Sequence, residues 1–163
     1  MSETRSTEAR AGAAARPVRP ASHNQTVGAR GEAIAAAYLE GLGYRVLDRN
    51  WHSRYGELDL VVVDPGGTDA GADGGVSLVA VEVKTRTGLG YGHPLQAITQ
   101  RKADRLRRLL LDWCRSSEAN ATGLVDDAGR PTRPWWELLR VDAIGIVLRP
   151  GVSPRIEHLR GIS

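Results

Sequence analysis

The sequence contains one cysteine, Cys114, among its 163 residues, together with one methionine and no phenylalanine. A single cysteine excludes an internal disulfide and a cysteine-based zinc site. No apolar run approaches the roughly 18 residues that a membrane-spanning helix needs. The N-terminus also lacks the apolar core of a secretory signal. We therefore expect a cytoplasmic protein that has no membrane partner.

Lysine is the second scarcity. Of the 22 basic residues only two, Lys84 and Lys102, are lysines, so arginine supplies almost every positive charge. Lysine is a compact point charge whose pKa can be shifted, whereas the guanidinium is planar and permanently charged. Lys84 lies in a valine-rich segment, which suggests a task that arginine does poorly, such as orienting an attacking water. The alternative without a functional role is that position 84 carries lysine by chance.

The chain divides into a tail and one domain. Residues 1–23 are rich in Ala, Arg, Ser, Thr and Pro. That composition cannot bury enough apolar surface to offset the entropy of ordering, so it predicts a disordered tail. Residues 24–163 are numerous enough for a single domain with its own core. A hydrophobic content of 41% and a charged content of 25% are typical of a globular protein.

Hydrophobic periodicity predicts a helix, three strands, a helix and two more strands, without an internal repeat. The predicted elements are a helix over 26–42, strands over 44–48, 57–63 and 77–84, a helix or broken pair of helices over 94–115, and strands over 136–148 and 155–159. Loops or turns are predicted between them at 49–56, 65–75, 85–92 and 116–134. This order predicts a mixed α/β fold.

Acidic and basic side chains interrupt two of the apolar strands. In the third strand Glu82 and Lys84 share one face, while the valines at 79, 81 and 83 share the other. Asp59 lies in the preceding strand. Unpaired charges beside an apolar sheet are costly, and a bound cation and an anionic substrate would both relieve that cost. The pattern is typical of a metal-dependent phosphodiester site; the alternative is a buried structural ion pair with Lys84.

A stretch of basic residues lies in the second helix. Residues 101–115 carry six basic side chains against two acidic ones. Lys102, Arg105 and Arg108 are candidates for contacts with a nucleic-acid backbone, and the alternative is a solvated helix face. Arg86 follows Lys84 on the same strand face and could bind a phosphate bidentately; otherwise it is an exposed arginine at a strand end.

Other polar and aromatic residues have simpler accounts. Arg140 and Asp142 share one face of the fourth strand, which favours a cross-strand ion pair. Glu57 lies on the face of Asp59 and is the residue most easily mistaken for it. Trp51 and Tyr55 could stack on a base, although packing is the more common role of such residues. The four histidines have no metal-ligand spacing, and none is assigned a role.

Taken in order, these segments resemble the YraN-like family of small bacterial proteins, placed in the PD-(D/E)XK nuclease superfamily near the Holliday-junction resolvases. The resemblance covers about residues 27–160. The matching residues are Gly28, Gly31 and Glu32, Gly-Glu-Leu-Asp at 56–59, Val-Glu-Val-Lys-Thr-Arg at 81–86 and Arg-Val-Asp at 140–142.

The resemblance implies a restriction-endonuclease-like αβββαβ core, with a mixed central sheet flanked by helices. It implies that Asp59 and Glu82 bind Mg²⁺ or Mn²⁺, that Lys84 is the catalytic lysine, and that Glu32 is an additional acid from the first helix. The resulting hypothesis is a metal-dependent endonuclease acting on branched or single-stranded DNA. The alternative is a nucleic-acid-binding accessory protein with little or no catalysis, and a protein-interaction module ranks third. A homodimer is expected by analogy with enzymes that cut two strands.

Overall fold

The structure is a computed structural model that describes residues 23–66, 75–88, 94–130, 132 and 136–162. The predicted tail at 1–23 lies outside these residues, except that His23 begins the first helix. The elements are α1 (His23–Gly41), β1 (Arg45–Ser53), β2 (Gly56–Asp64), β3 (Ser77–Arg86), a 3₁₀ turn (Pro94–Ala97), α2 (Gln100–Trp113), α3 (Ser117–Ala121), β4 (Leu138–Arg149) and β5 (Val152–Leu159).

The five strands form one sheet in the order β1-β2-β3-β4-β5. Strands β3 and β4 are parallel, and the other three neighbouring pairs are antiparallel. A parallel pair needs a long crossover, which here contains α2. The predicted mixed α/β fold is confirmed, and it is compatible with a restriction-endonuclease-like core. No helix within the described ranges is long and apolar enough to cross a membrane.

Helix α1 covers one face of the sheet. Its buried residues pack against the inward side chains of the central strands, including the valines at 79, 81 and 83, which share this face as predicted. The approach is close at Gly31, because a Cβ built there would lie 1.7 Å from Oγ1 of Thr85 on β3. Glycine at 31 therefore lets the helix backbone lie against the strand that carries Glu82 and Lys84.

Helix α2 covers the opposite face. Leu106, Leu109, Leu110 and Trp113 are all buried there, so the predicted apolar stripe is confirmed. The prediction of a helix or broken pair of helices over 94–115 is confirmed in its broken form, since the 3₁₀ turn at Pro94–Ala97 precedes α2. Helix α2 itself begins at Gln100, where the Thr99 side chain accepts a hydrogen bond from the backbone N–H of Lys102 and caps the first turn. Such a cap fixes where the amphipathic face starts.

Strand β1 is longer than predicted. The turn expected at 49–56 is wrong, since β1 continues to Ser53 and only Arg54 and Tyr55 separate it from β2. Pairing with β2, as in Trp51 with Leu58, supplies the hydrogen bonds that the local sequence does not indicate. Asn50 has a φ of 52°, a left-handed conformation that asparagine tolerates and that is common in turns.

The expected loop at 116–134 contains the short helix α3. Ser116 caps it by accepting a hydrogen bond from the backbone N–H of Ala119. A helix of five residues is too short to show a hydrophobic period, so the sequence pattern could not reveal it.

Candidate active site

Asp59 lies where β2 separates from β3. Leu58 packs in the α2 layer and Leu60 in the α1 layer, although residues two apart in a regular strand share a face. The pairing of β2 with β3 covers Leu60 to Asp64. Beyond this pairing, the backbone N–H of Val83 on β3 donates a hydrogen bond of 2.7 Å to Oδ2 of the Asp59 side chain. The break in alternation therefore brings the Asp59 carboxylate between the two strands.

Glu82 lies on β3 on the α2 side and is only 3% exposed. Its Oε1 lies 2.6 Å from Nζ of Lys84 and 3.1 Å from Nζ of Lys102 on α2. The two lysines of the chain therefore contact the same carboxylate oxygen. The sequence assigned Lys102 to a nucleic-acid backbone, whereas the structure places it at Glu82, about one-third exposed.

Burial and the neighbouring charges together shift the pKa of Asp59. Burial raises the pKa of Asp59 to about 6, and the negative charges of Glu82 and Glu32 act in the same direction. The Val83 N–H and the charge of Lys84 oppose the rise. Glu32, which α1 presents half-buried, is therefore near enough to act on Asp59, and the structure brings all four predicted catalytic residues into one electrostatic cluster.

Lys84 is held in its charged form. Burial lowers the pKa of Lys84, but its hydrogen bond to Glu82 and the charges of Glu82 and Asp59 outweigh burial and raise it above its ordinary value. Lys84 is therefore an ammonium at neutral pH. Such a group can donate hydrogen bonds and neutralise negative charge, but it does not act as a general base.

The donors suit a hard cation bound partly by the protein. Within the described ranges, no three His, Cys, Asp or Glu side chains form a metal-binding group. Mg²⁺ in proteins is usually held by one or two carboxylates, with waters and substrate phosphates completing its shell. Asp59 and Glu82 can supply two such carboxylates, since they are close enough for the charge of Glu82 to raise the pKa of Asp59.

The other predicted nucleic-acid residues surround this cluster. Arg86 is at the end of β3, half-buried, where its charge acts to lower the pKa of Lys84. Arg105 and Arg108 are exposed on α2. Arg105 is also tied to the β1–β2 hairpin, because its Nη2 donates a 2.9 Å hydrogen bond to the backbone oxygen of Tyr55.

Glu57 is separate from the cluster. Its carboxylate lies 3.1 Å from Nε2 of His52, and both side chains are about two-thirds exposed. Although Glu57 is two residues from Asp59, its side chain contacts His52 on β1 and lies apart from the cluster of Asp59, Glu82 and Lys84.

A second buried group of charges lies on the α1 side. Arg140 donates two hydrogen bonds to Asp142 on its own strand and one, of 2.9 Å, to Asp64 on β2. Nε2 of His158 on β5 lies 2.9 Å from Oδ2 of Asp142. Arg140 and Asp142, which were predicted to form a cross-strand ion pair, thus pair with each other on one strand. Each also contacts a residue of another strand. His158, which received no role, was missed because no spacing signals a contact across β4 and β5.

The two carboxyl groups of this Arg140 network have lowered pKa values. Burial would raise the pKa of Asp142, but the bond to His158 and the guanidinium of Arg140 outweigh it and hold that pKa below its ordinary value. Asp64 is likewise lowered, since its hydrogen bonds to Gly66 and Arg140 outweigh its burial. The contacts of Arg140 with Asp64 and of Asp142 with His158 therefore join β2, β4 and β5.

The fold and the cluster define an α/β protein with a mixed five-stranded sheet, flanked by helices, that carries two acids and a lysine where two strands separate. The family model described as "Uncharacterised protein family UPF0102" matches residues 31–146. The chain belongs to this family, which confirms the resemblance to the YraN-like proteins.

Relatives from several bacterial species match this chain over most of their own length. A UPF0102 protein of Rhodococcus jostii is 42% identical over 138 residues, which is 85% of this chain and 96% of the relative. One from Paenarthrobacter aurescens is 40% identical over 136 residues, covering 83% of this chain and 92% of the relative. One from Mycobacterium tuberculosis is 42% identical over 139 residues, covering 83% and 91%.

Proposed function

We propose that this protein is a Mg²⁺- or Mn²⁺-dependent endonuclease of the PD-(D/E)XK type that hydrolyses phosphodiester bonds in branched or single-stranded DNA. One observation carries the proposal. The Asp59 carboxylate is bonded to the N–H of Val83 and lies beside buried Glu82, whose Oε1 contacts Lys84. Two acids and an ammonium group at a strand separation are the groups that metal-assisted phosphodiester hydrolysis uses.

The roles follow from the chemistry of each group. A cation held by Asp59 and Glu82 would polarise a phosphoryl oxygen and lower the pKa of a bound water. Lys84, kept protonated, offsets the negative charge that develops on the phosphoryl oxygens. Glu32 adds a further acid beside Asp59, and Arg86 offers a guanidinium to a neighbouring phosphate.

One observation favours the alternative of a nucleic-acid-binding accessory protein. Lys84 and Lys102 together already offset the charge of Glu82, so this carboxylate does not need a cation to be stable where it is. A protein that has lost catalysis could keep Glu82, Lys84 and Lys102 as a structural group of ion pairs. The two functions differ in one measurable property, which is cleavage.

The test is a cleavage assay on labelled branched, single-stranded and duplex DNA with Mg²⁺, Mn²⁺ or chelator. We expect cleavage that requires the cation and that Glu82→Gln and Lys84→Ala abolish. Glu57→Gln is the matched control, since this exposed carboxylate is paired with His52, and it should cleave like the parent. DNA binding by the parent protein without cleavage of any substrate would establish the accessory function instead.

A homodimer is part of the proposal, because cutting two strands of a junction calls for two sites related by two-fold symmetry. Size-exclusion chromatography with light scattering, with and without junction DNA, measures this directly. A monomer on the junction would limit the enzyme to one strand at a time.

A further inference from the structure

Tyr55 is exposed at the tip of the β1–β2 hairpin. Among the exposed large hydrophobic side chains of the described residues it is the one aromatic, with 56% of its surface accessible. The guanidinium carbon of Arg54 lies 4.6 Å from the ring centroid, over the ring. A cation–π contact of this kind covers one face of the ring, so the exposed surface includes the other face.

The hairpin tip is fixed to α2. Arg105 donates its hydrogen bond to the backbone oxygen of Tyr55, next to Gly56. A Cβ at Gly56, whose φ is +150°, would lie 2.7 Å from Nη2 of Arg105 and 3.2 Å from Cδ1 of Leu109. Glycine therefore permits the close approach of Arg105. A backbone held in place in this way loses little freedom when the side chain that it carries stacks on a ligand.

The surroundings of the ring are basic. Tyr55 lines an open groove of about 540 Å³ together with Arg105, Arg108 and Arg115. Two leucines and Asp112 complete the lining, so apolar surface alternates with guanidinium groups. An aromatic face beside a positively charged groove is the combination that single-stranded nucleic acids bind, since the ring stacks on bases and the charges follow the backbone.

The groove shares Arg105 and Leu109 with a second cavity that lies nearer the candidate active site. This second cavity of about 300 Å³, between the hairpin and α2, is lined by Arg105 and also by Lys102. Lys102 in turn contacts Glu82. Arg105 and Lys102 therefore connect the surface around Tyr55, through side-chain contacts, to the carboxylate of Glu82.

We infer that Arg54, Tyr55, Arg105, Arg108 and Arg115 form a binding surface for an unpaired base and its flanking phosphates in single-stranded DNA. We name it the Tyr55 surface. The inference rests on the proposed function in taking DNA as the ligand of this face. In a continuous duplex both faces of each internal base are stacked, so Tyr55 has no face to stack on and only the arginines contribute.

The test measures binding in chelator, by fluorescence anisotropy, to a labelled oligothymidylate and to a blunt duplex. Because stacking on an aromatic residue contributes about 1–3 kcal/mol per base, Tyr55→Ala should weaken oligothymidylate binding by about fivefold or more. Duplex affinity should change by less than about twofold, since the arginines that contact phosphates remain. Tyr55→Phe should bind like the parent, because the ring is retained. Leu138→Ala, which removes another exposed side chain on a different element, should change neither affinity.

If Tyr55→Ala lost the same affinity for oligothymidylate and for the duplex, Tyr55 would only position Arg54 and Arg105 for phosphate contacts. That result would overturn the inference. Unchanged oligothymidylate binding in Tyr55→Ala would also overturn it. Neither result depends on cleavage, because the chelator prevents it. If the binding test fails, the endonuclease proposal is unaffected. If no cleavage is found, the proposal of the Tyr55 surface is unaffected.

Discussion

The Nζ atom of Lys102 on α2 lies 3.1 Å from Oε1 of Glu82 on β3, the oxygen that Lys84 also contacts. The lysines of a chain that otherwise uses arginine thus contact one buried carboxylate. Lys102 comes from the crossover between the parallel strands, so its ion pair links α2 to the central strand. Five predictions concern this cluster and the helix that packs on the other face of the sheet.

Loss of one lysine should be tolerated far better than loss of both. In Lys84→Met the Glu82 carboxylate keeps Lys102, so we expect destabilisation of about 1 kcal/mol or less. In the double variant Lys84→Met/Lys102→Met a buried charge has no partner, which costs about 3–5 kcal/mol in comparable sites. Urea denaturation of the single and double variants gives the coupling free energy. In a Glu82→Gln background the coupling should vanish. If the losses of unfolding free energy in the two single variants simply added up in the double variant, Glu82 would be solvated rather than dependent on the lysines.

Lys102→Met should strengthen cation binding. The ammonium group repels any cation held by Glu82, and removing a unit charge at this range is worth about 1 kcal/mol or more, or roughly fivefold in affinity. Calorimetric titration with Mn²⁺ measures the change. Lys102→Arg keeps the charge, and Arg101→Met removes an exposed neighbouring charge, so both should bind Mn²⁺ like the parent. Weaker Mn²⁺ binding in Lys102→Met would contradict the assignment of Glu82 as a ligand.

Asp59→Asn should stabilise the protein in a pH-dependent way. The folded-state pKa is raised from 3.8 to about 6, so between these values the folded state binds more protons than the unfolded state. Stability from this group is therefore lost as pH rises through that window. The amide still accepts from the N–H of Val83 but carries no charge. We expect the melting temperatures to agree below pH 3.8 and the variant to melt higher above about pH 6, in chelator. Exposed Asp104→Asn is the control, and a pH-independent difference would contradict the raised pKa of Asp59.

Gly31→Ala should destabilise the contact between α1 and β3. Its Cβ would lie 1.7 Å from Oγ1 and 2.9 Å from Cβ of Thr85, so the helix must move, at a cost of about 1–3 kcal/mol. Gly28→Ala is the matched control, because nothing lies within 4 Å of its Cβ, and alanine should stabilise the helix there by about 0.5–1 kcal/mol.

Thr85→Ala should partly rescue Gly31→Ala in thermal denaturation. Oγ1 of Thr85 is buried without a hydrogen-bond partner among the described residues, so its removal breaks no bond. A Gly31→Ala variant as stable as the Gly28→Ala variant would mean that α1 does not lie this close to the strand.

The sequence sufficed where a pattern is local. The apolar stripe of α2, the alternation of β3 and the order of elements all follow from side-chain periodicity within a few residues. The extension of β1 to Ser53 does not, because residues 49–53 have turn-like composition and become a strand only by pairing with β2. Propensity is a weak prior that such tertiary contacts override.

For the candidate site, Asp59, Glu82 and Lys84 could be selected from the sequence because charges are unusual in valine-rich strands. The contact between Lys102 and Glu82 could not, because it depends on how α2 rotates over the sheet. The sequence pattern of basic residues on a helix is the same whether they face solvent or a buried acid. The bond between His158 and Asp142 likewise depends on the pairing of β5 with β4.

The hydrogen bond from Val83 to Asp59 has a mechanical consequence. Val83 lies between Glu82 and Lys84 in the chain, so the Asp59 carboxylate is tethered to the backbone of the segment that carries both other groups. One short bond thus fixes the Asp59 carboxylate against the strand, while the Glu82 carboxylate is placed by its ion pairs with Lys84 and Lys102. A ligand that drew the Asp59 carboxylate away from β3 would have to break the bond to Val83, so this side of the site resists widening. In the proposed cation site, that resistance favours a small ion with short oxygen contacts of about 2.0–2.1 Å over a larger one at 2.3–2.6 Å.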